Sequence, residues 1–271
     1  MDLRGKKILV TGASRGLGRS IAEFLAEKGA HVSGTSRNPE AVDWMDSIRL
    51  YGLDLSSPAA LKADWVESGL VEEQFDIVIN NAGAGSFFEF SISDEQLWEA
   101  QISLLLRSPM ALCRLVLPGM LERKGGVLVN VSSLSAEYPI PFMSGYSAAK
   151  SGLSAFTNGL ASELLDTDVK VIDFRPGDFD SSFNDSSSRG QFSEEKQVSA
   201  NRVWQCMVDR MKTSPSPESI AECLVAALEN DRDGVVRAGS FFQRVLAPLF
   251  ARVAPLSAQR RANESYYKLH Q

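Results

Sequence analysis

Lys7–Gly29 reads KILVTGASRGLGRSIAEFLAEKG, and this stretch decides the fold. The apolar run Lys7–Val10 is a short strand. Leu17, Ile21, Phe24, Leu25 and Lys28 fall at helical spacing, and Gly29 ends the helix. Between strand and helix lies Thr11-Gly-Ala-Ser-Arg-Gly-Leu-Gly18. A strand feeding a glycine-rich turn into a helix N-terminus makes an anion site. Backbone N–H groups and the positive helix end face the ligand, and Gly12, Gly16 and Gly18 permit close approach. The spacing is G-x3-G-x-G, which differs from the G-x-G-x-x-G dinucleotide fingerprint. A plain structural turn does not require three glycines so placed, so the loop is read as a phosphate cradle.

Working outward, the same strand–helix rhythm repeats. Ala30–Ser36, Ile48–Leu55, Phe75–Asn80, Val127–Val131, Val169–Phe174 and Gly234–Ala238 read as further strands, with helical stretches between them. Alternation at roughly 30-residue spacing predicts an α/β domain over residues 1–271. It is a single Rossmann-type doubly wound parallel sheet of about seven strands, with helices on both faces. Ligands of such sheets bind at the carboxyl ends of the strands. A helix is expected from Asp94 to about Arg123, kinked at Pro109. Ser57-Pro58 reads as an N-cap followed by Pro at the first helical position.

The end of the second strand bears on cofactor choice. Sites for the unphosphorylated dinucleotide place an acidic residue there to take the ribose hydroxyls. Here Ser36-Arg37 occupies that point and Arg15 lies in the glycine loop. Two guanidiniums suit a 2′-phosphate, so the reading is NADP(H) in preference to NAD(H), with solvated surface arginines as the alternative.

Asn130–Lys150, NVSSLSAEYPIPFMSGYSAAK, carries candidate chemistry. Gly125–Ser133 is a buried strand ending in two hydroxyls, and Tyr146-Ser-Ala-Ala-Lys150 opens a helix. Tyr146 and Lys150 share one helix face, with Cβ atoms roughly 5–6 Å apart. An ammonium so close is expected to favour the phenolate and lower the tyrosine's pKa, making it an acid or base near neutrality. Ser133 adds a hydroxyl aimed at the same point. The alternative is an ordinary amphipathic helix with a half-buried Tyr and a solvated Lys.

Composition bounds the partners. The chain has 271 residues, 44% hydrophobic and 23% charged, and a net charge of −6 that argues against nucleic-acid binding. Cys113, Cys206 and Cys223 are far apart with no Cys-x-x-Cys. With only two histidines, His31 and His270, neither a metal cluster nor a His-based triad is expected. No signal peptide and no membrane-spanning apolar run is read, so the expected location is cytoplasmic, with peripheral membrane association left open. Residues 178–217 break the rhythm and read as a substrate lid or a surface loop, with a helix over Ser199–Met211. Residues 240–271 form a C-terminal helical extension mixing Phe241, Phe242, Val245, Leu246, Leu249, Phe250, Val253 and Leu256 with Arg244, Arg252, Arg260 and Arg261. Packing on a partner subunit or the substrate pocket is favoured over contact with a membrane surface. Phe87, Phe88, Phe90, Tyr138, Pro139, Ile140, Phe142 and the Met- and Trp-bearing lid suggest an apolar pocket and a lipophilic substrate.

The order of these motifs resembles the short-chain dehydrogenase/reductase family, classical type, over residues 6 to about 240. The resemblance implies a cofactor site of Gly12, Ser14, Arg15, Gly16, Leu17, Gly18, Ser36 and Arg37. Asp54 and Leu55 would meet the adenine, and the Asn80-Asn81-Ala82-Gly83 turn would lie beside the cofactor. It implies catalytic Ser133, Tyr146 and Lys150, with a Ser-to-Tyr interval of 13. Tyr146 and Lys150 would also touch the cofactor, as would Pro176-Gly177 and Ser181 beside the nicotinamide. The implied activity is hydride transfer between NADP(H) and a small-molecule carbonyl or alcohol, in a homodimer or homotetramer. One departure stands out: alignment on Trp98 and Pro118 puts Leu105 where the family carries an asparagine supporting a proton-relay water. A catalytically weak or inactive cofactor-binding scaffold is therefore the alternative reading.

Overall fold

The structure, a computed structural model, describes residues 1–45, 47–180 and 187–269. The first half holds β1 (Lys7–Val10), α1 (Gly16–Glu27), β2 (His31–Ser36), β3 (Ile48–Gly52), α2 (Leu61–Glu67), β4 (Ile77–Asn80), β5 (Ser86–Phe87), α3 (Glu95–Ile102) and α4 (Ser108–Glu122). The second half holds β6 (Gly126–Val131), α5 (Ser144–Glu163), β7 (Val169–Pro176), β8 (Ser188–Arg189), α6 (Glu194–Lys212), α7 (Pro217–Glu229), β9 (Gly234–Ala238), α8 (Ala247–Val253) and α9 (Leu256–Tyr266). Seven strands form one parallel sheet in the order β3-β2-β1-β4-β6-β7-β9. The chain moves outward from β1 in both directions, so the switch point falls between β1 and β4, above which ligands bind.

Alternation along each strand divides the core. Ile8 and Val10 point to one face, where Leu17, Ile21 and Leu25 of α1 meet Ile220 and Leu224 of α7. Leu9 points to the other, with Val78, Leu128, Val171 and the apolar faces of α4 and α5. Coverage on both faces explains the mostly apolar runs of the central strands β1, β4 and β6. A third cluster, Phe87, Met143, Val203 and Met207, lies beyond the main core.

Several expected boundaries move. α2 begins at Leu61 with Ala60 before it, and Ser57–Ala60 is a turn closed by Ala60 N–H on the Ser57 carbonyl. The Pro109 kink takes the form of a π-helical turn over Ser103–Arg107, between α3 and α4. Pro109 has no N–H to close on the carbonyl of Leu105, so the helix must rewind there. The run Glu95–Glu122 is, by length and composition, apolar enough to cross a membrane, contrary to the expectation of no such segment. Its Leu112, Cys113 and Met120 pack in the core beneath Leu128. The two-residue strands β5 and β8 pair in parallel in a second small sheet that the sequence does not announce.

A buried polar row crosses the middle of the sheet. Asn80, Asn130 and Asp173 are register partners on β4, β6 and β7, each at most 4% exposed. Asn80 donates to Asn130 Oδ1 at 2.8 Å, and Asn130 donates to Thr157 Oγ1 at 2.9 Å. Asp173 accepts from Ser132, from Ser154 Oγ at 2.7 Å, from Asn158 Nδ2 at 3.2 Å and from Arg175 Nε at 2.8 Å. Thr157, Ser154 and Asn158 all lie on α5, so the row fixes that helix on the sheet.

Candidate active site

The glycine loop is held by its neighbours. Thr11 Oγ1 accepts from the Asn81 and Ala82 N–H groups at 3.0 and 3.1 Å, and Asn81 Nδ2 donates to the carbonyls of Thr11 and Gly12 at 3.0 and 3.3 Å. The Asn81 amide thus braces the loop from behind. Gly12 has φ +63°, and a Cβ there would lie 2.7 Å from Ala82 Cα; on Gly18 it would lie 2.3 Å from the Gly12 carbonyl oxygen. Gly16, at φ +54°, would point a Cβ into open space. That space lies at the N-terminus of α1, a 12-residue helix with no side-chain cap and no acidic residue in its first turn. Its first N–H groups are left for an external acceptor, so the cradle fits a dinucleotide phosphate. Leu17 is a core side chain, 7% exposed, and offers the cradle only its backbone.

Ala13 N–H donates to the Thr35 carbonyl at 3.0 Å, which sets the loop against the end of β2. Arg15 and Arg37, two residues beyond these partners, are both exposed, and no ion pair engages either among the described residues. Ser14 is half-buried in the loop, and Ser36 Oγ accepts from Asn38 N–H. Asp54 is exposed past the end of β3 with its carboxylate on Ser56 N–H, whereas Leu55 is buried and its carbonyl accepts from Ser108 Oγ at 2.6 Å. Gly83 meets Leu105, whose Cδ2 would be 3.0 Å from a Cβ on that glycine. Leu105 is fully buried, so an apolar side chain fills the place aligned with the asparagine. Ser181 lies outside the described residues.

Ser133, Tyr146 and Lys150 come together from the end of β6 and the start of α5. The Tyr146 phenol is hydrogen-bonded with the Ser133 side chain, and Ser133 Oγ also accepts from Ser135 N–H at 3.1 Å. Lys150, 5% exposed, donates from Nζ to the Val131 carbonyl at 2.6 Å and lies 5.9 Å from the centre of the Tyr146 ring. The expected lowering of the tyrosine pKa is not found. Burial pushes the Tyr146 phenol up to about 12, against the smaller opposite pull of its bond with Ser133, and the Asp178 carboxylate pushes it further up. Burial also lowers Lys150 to about 8, partly offset by the Asp173 charge. Desolvation of both groups outweighs their proximity.

The lysine shift has a sign in stability. From about pH 8 to 10.5 the unfolded chain keeps a proton that the folded Lys150 has released, so folding gains as pH rises through that window. Urea denaturation of the cofactor-free protein should show wild type gaining stability relative to Lys150→Met between about pH 8 and 10, with a constant difference below that window. A difference independent of pH across the window would show that the lysine is not desolvated.

A cavity of about 430 Å³ opens at Ser133. Its walls include Tyr138 and Ile140 from the loop before α5, Gly177 and Asp178 after β7, and Phe242, Leu246, Phe250 and Tyr266 from the C-terminal extension. Of the expected pocket aromatics, Phe87 and Phe88 are core residues, and Phe142 and Trp204 pack on Phe87 instead of lining the cavity. Phe90 is 61% exposed. The apolar wall comes mainly from residues 241–267. Asp178 accepts from Gln243 Nε2 at 2.8 Å and from the Tyr266 hydroxyl at 2.7 Å, and Tyr138 donates to the Ala247 carbonyl at 2.6 Å. These bonds join the extension to the loops beside Ser133 and Gly177. Nothing local in the sequence marks Asp178, Gln243 or Tyr266, and Asp173 shows itself only as a polar residue inside an apolar strand.

The family described as short chain dehydrogenase matches residues 6–191. A 3-ketodihydrosphingosine reductase of Bacteroides thetaiotaomicron is 28% identical over 229 residues, covering 82% of this chain and 84% of that protein. A short-chain dehydrogenase from Streptomyces avermitilis superimposes with a TM-score of 0.80 at 26% identity, over 99% of this chain and 97% of the other. A Burkholderia cenocepacia short chain dehydrogenase, solved in complex with NADP, superimposes over the whole of both chains with a TM-score of 0.73 at 24% identity.

Proposed function

The chain belongs to the short-chain dehydrogenase/reductase family, and we propose that it is an NADP(H)-dependent reductase of lipophilic ketones or aldehydes, run in reverse as an alcohol dehydrogenase. The observation that carries this reading is Ser133, which lines a largely apolar cavity and is hydrogen-bonded to the Tyr146 phenol, beside a buried Lys150. The B. thetaiotaomicron relative is named a 3-ketodihydrosphingosine reductase, which supports a lipophilic ketone as the substrate class.

The cofactor, when bound over the cradle, supplies the hydride. The chain's residues bind the carbonyl oxygen, orient it and supply its proton. Ser133 and Tyr146 hydroxyls converge on that oxygen. A phenol pushed up to about 12 keeps its proton at neutral pH, which suits donation to an oxygen gaining negative charge. Lys150 spends one N–H on Val131, which fixes the direction of Nζ and leaves its other N–H groups for ribose hydroxyls. Arg15 and Arg37 hold the 2′-phosphate.

The arginine assignment predicts a specific result. Arg15→Ala and Arg37→Ala should each weaken NADPH binding about tenfold or more, as expected for losing a charge-assisted bond of about 1.5–3 kcal/mol, and leave NADH affinity unchanged. Titration by nicotinamide fluorescence checks this, and equal losses for both cofactors would contradict it. Purified protein should consume NADPH when given a long-chain ketone.

Leu105 favours one other reading, a cofactor-binding protein without turnover, because its side chain can hold no relay water. Cofactor binding with no ketone-dependent consumption of NADPH would select it.

A further inference from the structure

The outer face of the C-terminal extension is apolar where a soluble surface helix is polar. Of the seventeen large apolar residues that stand exposed among the described residues, eight lie between Phe241 and Leu256. Along the helical run from Phe242 to Val253 the inward positions are Gln243, Ala247 and Pro248, whereas the outward ones include Val245, Leu249 and Val253. Leu249, Val253 and Leu256 are 56%, 73% and 63% exposed. A helix whose small and polar residues face the protein and whose large apolar residues face outward presents a contiguous patch of the kind that marks an interaction site.

The charge around the patch indicates its occupant. Residues 241–269 carry five basic side chains, Arg244, Arg252, Arg260, Arg261 and Lys268, against one acidic, Glu264, on a chain whose net charge is −6. All four arginines are exposed. Exposed arginines in the same segment as this apolar face, on an otherwise acidic protein, complement a lipid surface carrying negative head groups. A second copy would bring the same arginines against their own kind. We propose that the outer face of residues 241–256 seats this protein on an anionic bilayer, with Leu249, Val253 and Leu256 in the acyl region and Arg252, Arg260 and Arg261 on the head groups. Phe242, Leu246 and Phe250 line the cavity and are themselves exposed, so the mouth of the cavity opens into the seated face. Entry of a lipophilic carbonyl from the bilayer rests on the reductase reading; the seating rests on the patch and its charge alone.

Sedimentation with vesicles tests it without any turnover. The whole chain should co-sediment with phosphatidylcholine vesicles containing about one-third phosphatidylglycerol, and should bind pure phosphatidylcholine vesicles at least about tenfold more weakly, with salt reducing the difference. The triple variant Leu249→Gln/Val253→Gln/Leu256→Gln and, separately, Arg252→Gln/Arg260→Gln/Arg261→Gln should each lose binding about tenfold or more while melting at the wild-type temperature. None of these six residues touches the cradle or lines the cavity. No sedimentation of wild type with either vesicle would overturn the proposal, as would binding unaffected by both variants. A wild-type dimer that the leucine–valine variant converts to monomer, with vesicle binding unchanged, would assign the patch to a second copy instead.

Discussion

Tyr146→Phe is expected to lower kcat by roughly 10²–10⁴-fold while leaving NADPH affinity within twofold of wild type. The ring is retained, so its packing beside Phe87 and Met143 in the third cluster survives, and only the phenolic oxygen and its bond with Ser133 are lost. The stability cost of that bond is about 1 kcal/mol. The phosphate cradle is braced by Thr11 and Asn81, not by Tyr146, which is why cofactor binding should be spared. The loss should appear in kcat and not in KM for a lipophilic ketone, because the cavity wall from Ile140 to Phe250 is untouched. Turnover within tenfold of wild type would mean the proton comes from elsewhere.

Asp173→Ala is expected to destabilise the fold by about 3–5 kcal/mol, the range found when one member of a buried ion pair is removed. The carboxylate is 1% exposed and pairs with Arg175, whose side chain is only 11% exposed; Ser132, Ser154 and Asn158 also lose their acceptor. Arg175 also meets Glu137, which in turn meets Arg237, so the loss reaches the loop after Ser133 and the end of β9. Because Ser154 and Asn158 lie on the helix that carries Tyr146 and Lys150, activity should fall along with stability. Asp173→Asn keeps the shape and an acceptor oxygen, and should recover part of both. Chemical denaturation measures the effect, and a change below about 1 kcal/mol would show that the row is dispensable.

What the sequence discloses is local. The glycine turn between β1 and α1 is legible because strand, turn and helix are contiguous and each glycine has a steric reason to be there. The central strands β1, β4 and β6 are legible because burial on both faces makes them mostly apolar runs, and the others because they recur in the same strand–helix rhythm. The two-residue pair β5–β8 is not, since its partners lie about a hundred residues apart and have no run to mark them. Proximity of Tyr146 and Lys150 follows from helical spacing, but the direction of the phenol's pKa does not. It depends on how far both groups are removed from water and on where Nζ points, and the Val131 carbonyl decides the latter. The sequence points to Phe87–Phe90, Tyr138–Phe142 and Trp204 for the cavity wall. Tyr138 and Ile140 do line it, but Phe87, Phe142 and Trp204 pack on one another, and most of the wall comes from the extension about a hundred residues further on, joined by Asp178, Gln243 and Tyr138.

Reduction of a carbonyl by the Ser133–Tyr146 pair at the expense of NADPH is open to direct test. The most direct measurement is the loss of nicotinamide absorbance when purified protein and NADPH receive a series of aliphatic ketones of increasing chain length. Ketone-dependent loss that strengthens with chain length is expected as the cavity of about 430 Å³ is filled. Saturable NADPH binding with no loss at any chain length would contradict it, and would leave a cofactor-binding protein with Leu105 at its centre.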